Sequence, residues 1–385
     1  MRILFSTLPS RGHFYPLVPL AWALQADGHE VAVATTASFS AAVTASGLCA
    51  LETVADIDMR RMIGEDRQGR PVPDPNDIEG KLHRSGRGFA RANVATLPAV
   101  RELTHDFSPD VVMSEPTDFA GRLAAFAAGL PHIVHEWGLP VPGRMMDGLT
   151  AELEPELADL DLTAPPDPRL HIDVCPPSLS GARTDSQRYL NMRYTPFNGG
   201  GRLPTWVRTR AARPRVCVTF GTMIGVYPGA AESIAELAST LLSAGNDVVL
   251  AVGDELAPHI RTLCPDVRHI GWLPLHGVLP ACDVLVHHGG SGSSLTAMCA
   301  GVPQVVTPYA TDQFSNAAHV ARAGVGIRLD QGGTGPEDVA AACARIVGEP
   351  RFAEQAGLLR EDITGQPSPA TLAARLPSLL GESAV

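Results

Sequence analysis

The residues best suited to chemistry lie where an apolar run gives way to glycine and histidine. The later of two such places reads Val284-Leu-Val-His287-His288-Gly289-Gly290-Ser291-Gly292-Ser293, a buried strand running into a glycine-rich turn and then a helix. Such a junction suits an anion. Glycines let backbone N–H groups approach phosphate oxygens, a helix N-terminus supplies unpaired donors and about half a positive charge, and Ser293 adds a hydroxyl. The turn lacks the Gly-Lys-Ser/Thr of a P-loop and a clean G-x-G-x-x-G, which weighs against nucleoside triphosphatase and dinucleotide chemistry. Taken alone it also fits a tight turn with two buried histidines. The earlier place is Pro9-Ser-Arg-Gly12-His13-Phe-Tyr-Pro16, a loop after the first apolar strand. Its imidazole, with an ordinary pKa near 6.5, can take a proton at neutral pH, although a lone loop histidine is more often structural or solvated.

Three further stretches flank the glycine-rich turn. Gly271-Trp272-Leu273-Pro274 ends a strand with an aromatic that could stack on a nucleobase while nearby backbone reads its edge; a core tryptophan is the alternative. Gly301-Val-Pro-Gln304 reads as a helix cap and a strand, and it leads to Asp312-Gln313, a carboxylate and an amide suited to vicinal hydroxyls or, alone, to an exposed helix N-cap. In this order and spacing these segments resemble the nucleotide-sugar half of GT-B glycosyltransferases, in particular the family-1 enzymes that glycosylate polyketide, macrolide and enediyne natural products in actinobacteria. The resemblance spans nearly the whole chain.

It implies that Trp272 and Leu273 meet the pyrimidine, that His288, Gly289, Gly290, Gly292 and Ser293 hold and neutralise the diphosphate together with the helix, that Thr222 adds a phosphate contact, and that Asp312 and Gln313 touch the sugar. It also implies that His13 is the base that deprotonates the acceptor hydroxyl, with inversion at the anomeric carbon. The family supports this base with a carboxylate after a later strand. In Val111-Val-Met-Ser-Glu115-Pro-Thr-Asp118 that place falls on Glu115, with Asp118 as the alternative or as the first residue of the next helix. The implied partners are a dTDP- or UDP-sugar donor and a small hydrophobic acceptor, with no obligatory cofactor or metal. A homodimer and a helper protein are both compatible with the resemblance. Asp56-Ile-Asp58 and Asp159-Leu-Asp161 match D-x-D only formally and read as solvated acids. Acceptor contacts are expected from the segment 56–88 and from His135 through Met146. A UDP-sugar epimerase and a non-catalytic sugar-nucleotide-binding protein share the donor features and stand as alternatives.

The elements that must position these residues follow from the alternation of strands and helices, which predicts an α/β protein of two facing, doubly wound Rossmann-like domains (GT-B) with a cleft between them. Residues 1–197 form the expected acceptor domain, 198–214 a glycine-rich linker, 215–366 the nucleotide-sugar domain, and 367–385 a C-terminal helix that packs back on the first domain. The segment 56–88, rich in Arg, Asp, Pro and Gly, reads as one long loop. At 385 residues with 45% hydrophobic and 18% charged, the chain can bury two cores. A net charge of −11 with no basic stripe argues against nucleic acid or an anionic membrane as partner. Seven scattered cysteines without a C-x-x-C fit a reducing compartment, and the opening Met1-Arg2-Ile3-Leu4-Phe5 reads as a strand rather than a signal peptide, so a cytoplasmic location is expected.

Overall fold

The structure, a computed structural model, describes residues 1–180, 188–209, 211–221, 229–330 and 335–381. The chain divides into unit 1, Met1–Tyr194 with Gln366–Val385, and unit 2, Thr195–Gly365. Unit 1 holds β1 (Arg2–Ser6), β2 (Glu30–Thr35), β3 (Cys49–Glu52), β4 (Val111–Ser114), β5 (His132–His135), β6 (Leu170–Asp173) and β7 (Tyr189–Asn191) in the order β3-β2-β1-β4-β5-β6-β7. Unit 2 holds β8 (Arg215–Thr219), β9 (Asp247–Ala251), β10 (His269–Gly271), β11 (Val284–His287), β12 (Gln304–Val306) and β13 (Gly326–Arg328) in the order β10-β9-β8-β11-β12-β13. Every pairing between these strands is parallel. The two α/β sheets are therefore the Rossmann-like pair that the alternation predicts.

The topology already selects two places for ligands. In open parallel sheets the crevice lies beyond the strand C-termini where the strand order reverses. In unit 1 that point falls between β1 and β4, whose last residues Ser6 and Ser114 are paired. In unit 2 it falls between β8 and β11, where Thr219 pairs with His287.

Residues 56–88 are not one loop. A short helix, Met59–Gly64, is capped by the Asp58 carboxylate, and a single helix runs from Ile78 to Phe107, capped by Asp77 accepting from the Gly80 N–H at 2.7 Å. Its buried stripe includes Leu82, Ala90, Asn93, Leu97 and Val100, the spacing of an amphipathic helix. The sequence hides this helix because Gly80, Gly86, Gly88 and Pro98 all lower helix propensity. Two glycines explain the composition. A Cβ on Gly86 would lie 1.9 Å from the Met145 carbonyl oxygen, and one on Gly148 would lie 2.0 Å from that of His83. The long helix and Gly143–Glu152 thus meet backbone to backbone, and helix propensity is sacrificed for that approach.

The segment read as a linker is docked on unit 2. The Asn198 Oδ1 accepts from the His276 N–H at 3.0 Å and its amide donates to Thr296 Oγ1 at 3.2 Å. Trp206 and Val207 pack on the core around Leu273 and Leu285, and the buried Arg215 guanidinium lies over the Trp206 ring at 4.7 Å while donating to Asp247 at 2.9 Å. The helix Pro369–Leu380 buries Leu372, Ala373 and Leu376 and packs on the helix Val18–Ala26 of unit 1.

Gly86→Ala should destabilise unit 1 by about 3 kcal/mol, the upper range for overpacking, because the added methyl meets a backbone carbonyl that cannot swing away. Gly143→Ala has nothing within 4 Å of its added Cβ and should change stability by less than about 0.5 kcal/mol. Chemical denaturation of both variants checks this; equal effects would contradict the close approach.

Candidate active site

The chain leaves β1 at Ser6 and winds into a short helical turn, Arg11–Phe14, that places His13 beyond the strand end. Beside it the chain leaves β4 into Glu115-Pro116-Thr117-Asp118. Adjacent registers bring the two loops together, and the His13 Nδ1 lies 2.9 Å from Glu115 Oε1. Glu115 is completely buried, so its charge needs donors. Thr117 supplies them: its N–H donates to Oε2 at 2.7 Å and its hydroxyl lies 2.9 Å from the same oxygen. The His13 ring also packs edge-on to Trp137 at 4.4 Å and against Phe89 at 5.5 Å. With Nδ1–H donated to a carboxylate, the lone pair resides on Nε2, the arrangement of a general base.

Asp118 takes a different place from the catalytic one that the sequence left open to it. Its Oδ1 accepts from the Gly121 N–H at 2.9 Å as N-cap of the helix Phe119–Ala127, and its Oδ2 accepts from the Ser6 hydroxyl at 2.7 Å. Burial, and next the negative charge of Glu115, push its pKa up to about 7. Two residues that the sequence did not single out hold this turn. One is Thr117. The other is Asn93 on the long helix, whose Oδ1 accepts from the N–H groups of Phe119 at 2.7 Å and Ala120 at 2.9 Å while its amide donates to the Thr117 carbonyl at 2.7 Å. The capping signal at Asp118 was readable; Asn93 had no local signal.

In unit 2, β11 ends at His287 and the helix Ser291–Ala300 begins after Gly290, which has no side chain to cap it, with no acid in the first turn. The Gly289 N–H donates to His287 Nδ1 at 3.1 Å, so His287 carries its proton on Nε2, 2.8 Å from Gln304 Oε1. Burial lowers the pKa of His287 to about 3 and that of His288 to about 4. Burial thus favours the neutral form of both rings. The Cε1–Nε2 edge of the His288 ring leaves no room for a side chain at either glycine beside it: a Cβ on Gly290 would lie 2.7 Å from Nε2 and one on Gly221 2.8 Å from Cε1. Gly292 and Ser293 occupy the first helical turn, and Gly289 holds φ 93°.

The loop after β12 carries the remaining donor residues. Asp312 precedes the helix Gln313–Arg322 but makes no side-chain cap to it, and its Oδ1 accepts from the Thr311 hydroxyl at 3.0 Å. Gln313 turns its Oε1 inward to the N–H groups of Tyr309 and Ala310, both at 3.1 Å, which leaves its NH₂ as the donor. Trp272 is half-buried just past β10, its N–H donating to Asp254 Oδ1 at 3.0 Å. The Leu273 side chain is core, so only its backbone can meet a ligand. Thr222 lies outside the described residues. Of the segment His135–Met146, Trp137 reaches His13, whereas His135 is buried and donates to the Glu136 carbonyl at 2.8 Å, with burial lowering its pKa to about 4. Asp56 accepts from Ser38, Asp58 caps a helix, and Asp159 and Asp161 are exposed. Among the described residues no group of three or more His, Cys, Asp or Glu side chains could hold a metal ion.

Residues 22–221 match the N-terminal domain model of the erythromycin biosynthesis protein CIII-like family, and residues 235–379 match its C-terminal domain model. The chain belongs to this family. It is a GT-B glycosyltransferase of antibiotic biosynthesis. It is 38% identical to the L-demethylnoviosyl transferase of Streptomyces niveus over 97% of each chain. With the 10-deoxymethynolide desosaminyltransferase of Streptomyces venezuelae it shares 31% identity over 99% of this chain and 98% of that one. The Streptomyces sp. SF2575 glycosyltransferase SsfS6, solved with thymidine diphosphate, superimposes with a TM-score of 0.88 at 36% identity, covering 98% of this chain and 99% of that one. The spinosyn rhamnosyltransferase SpnG, also solved with thymidine diphosphate, gives 0.82 at 31% identity, covering 98% and 100%. Among the described residues no helix is long and apolar enough to cross a membrane.

The raised pKa of Asp118 makes a signed prediction. Its folded value, about 7, exceeds the ordinary 3.8, so the folded state holds the proton more tightly. The stability this group contributes is complete below pH 4 and is lost as pH rises toward 7. Asp118→Asn keeps an acceptor for the Gly121 N–H and cannot ionise. Between pH 5 and pH 8 the variant should therefore gain about 3 kcal/mol relative to the parent, at 1.36 kcal/mol per unit. Urea unfolding at the two pH values checks it; a pH-independent difference would show that Asp118 is ionised throughout.

Proposed function

We propose that this glycosyltransferase moves a deoxyhexose from a dTDP- or UDP-linked donor to a hydroxyl of a hydrophobic polyketide-type acceptor, with inversion at the anomeric carbon. The thymidine diphosphate in the two structural neighbours and the deoxysugar and aglycone names of the relatives support the donor and acceptor classes. The observation that carries the chemistry is the His13–Glu115 pair at 2.9 Å, which commits Nδ1 and leaves Nε2 as a base.

The acceptor oxygen attacks C1 as its proton passes to His13 Nε2, and the C1–O bond to the diphosphate breaks with its electron pair leaving on phosphate. Glu115, already ion-paired in geometry with the ring, stabilises the imidazolium that forms. The departing diphosphate is received by the first-turn N–H groups of the helix Ser291–Ala300, by the Ser293 hydroxyl and by the neutral His288 ring. Asp312 and the Gln313 NH₂ hold sugar hydroxyls, and Trp272 stacks on the pyrimidine with the Leu273 backbone at its edge. Direct displacement on an α-linked donor gives a β-linked product. Trp137 and Phe89, which wall the base, offer an apolar surface to the acceptor.

His13→Ala should lower kcat by about 10²–10⁴-fold, the usual worth of a positioned general base, with donor KM within about threefold of the parent. Glu115→Gln should also lower kcat, because the amide cannot stabilise the imidazolium. Incubation with TDP-sugars and a panel of polyketide aglycones, read by mass and by the anomeric coupling of the product, tests the reading. Parent-like turnover in folded His13→Ala, or a product of retained configuration, would overturn it.

A further inference from the structure

Asn316 ends the segment that begins with Asp312-Gln313, was given no role of its own, and touches both Asp312 and the glycine turn. It is buried at 1% exposure on the helix Gln313–Arg322. Its Nδ2 donates to the Gly289 carbonyl at 2.9 Å and to Asp312 Oδ2 at 2.9 Å. Both partners are acceptors, so the nitrogen must face them, and the two N–H bonds of one amide are committed to two different loops. Its Oδ1 is buried with no partner, so nothing on the oxygen side holds the orientation; the two acceptors do.

The loops it joins are otherwise in bare contact. Gly289 holds φ 93°, and a Cβ there would come within 2.9 Å of the Gln313 carbonyl oxygen. On the other side, Thr311 adopts φ 44°, unfavourable for a β-branched residue, and its hydroxyl donates to Asp312 Oδ1 at 3.0 Å. Asp312 thus has one oxygen tied to Thr311 and the other to Asn316, so its carboxylate plane is set before any ligand arrives.

We propose that Asn316 is a positioning residue that couples the glycine turn of the diphosphate site to the Asp312 carboxylate. The proposal rests on the reading above that Asp312 holds the sugar. A carboxylate whose plane is already set meets a ligand without first losing rotational freedom, and the same amide fixes that plane relative to the glycine turn. Asn316 acts through Asp312 and Gly289 and needs no contact with the donor itself.

The test measures dissociation constants for thymidine diphosphate and for TDP-glucose by calorimetry in the parent, N316A, D312N and the double variant, and takes the ratio of the two constants as the sugar readout. Losing a hydrogen bond to a charged group should move that ratio about tenfold or more in N316A. D312N should move it in the same direction, and the double variant should stand within about twofold of D312N, because residues acting as one unit are non-additive. N316S, which retains one donor, should fall between parent and N316A and serves in its place if N316A does not fold by circular dichroism. A parent-like ratio in N316A or N316S while D312N shifts it, or full additivity in the double variant, overturns the coupling alone. A parent-like ratio in D312N removes the sugar role of Asp312 and the coupling with it.

Discussion

An imidazole can work as a base only when one nitrogen is committed and the other is bare, and Glu115 commits the Nδ1 of His13. The commitment comes from a carboxylate with no solvent to hold it, which is costly unless donors replace the water. Thr117 replaces it twice, from backbone and side chain, and His13 makes the third bond. The neighbouring Asp118 would undo this if it were also ionised, since two negative charges in one dry turn repel strongly. Its pKa near 7, with the Ser6 hydroxyl and the Gly121 N–H on its oxygens, lets it cap a helix at neutral pH without a full second charge. Of the two acids in this turn, Asp118 is the one whose surroundings favour the neutral form.

In unit 2 burial favours the neutral form of both imidazoles, His287 being locked between Gly289 and Gln304 and His288 having its Cε1–Nε2 edge against Gly221 and Gly290. A permanently cationic site would have to be desolvated in the absence of ligand, whereas a helix N-terminus holds its partial positive charge as part of the fold. The partial positive charge at the start of the helix Ser291–Ala300 thus comes from backbone dipoles, with no acid in its first turn to offset it. Both arrangements occur where a strand order reverses, between β1 and β4 and between β8 and β11, so one topological rule places two different chemistries.

What the sequence disclosed and what it concealed follow the range of the interactions. The strand of Val284–His287, the glycine turn and the helix after it are contiguous, and each residue type there has a local reason. The pairing of His13 with Glu115 bridges 102 positions and was reachable only through resemblance, since local pattern alone allowed Asp118 equally well. The helix Ile78–Phe107 was lost because its glycines answer to Met145 and Ile63 across the packing interface, a demand no window of local propensity contains. Strands β6, Leu-His-Ile-Asp, and β7, Tyr-Leu-Asn, are too short for their pattern to stand out from the surrounding loops. The segment 198–214 read as a tether from its glycines, while the docking depends on Asn198 and Trp206, whose partners lie far along the chain.

The side chains that hold these turns in place share a chemistry. Asn93 ties the Glu115 turn to the long helix, Gln304 fixes the tautomer of His287, Gln313 closes its own loop, and Asn316 clasps two loops together. All are primary amides, which both donate and accept and carry no charge at any working pH. A lysine or a carboxylate in any of these places could satisfy some of the same bonds, but it would add a full charge inside a buried turn. Holding these turns with neutral groups avoids that cost. Amides are the side chains that can do so while meeting backbone N–H and C=O groups on either side.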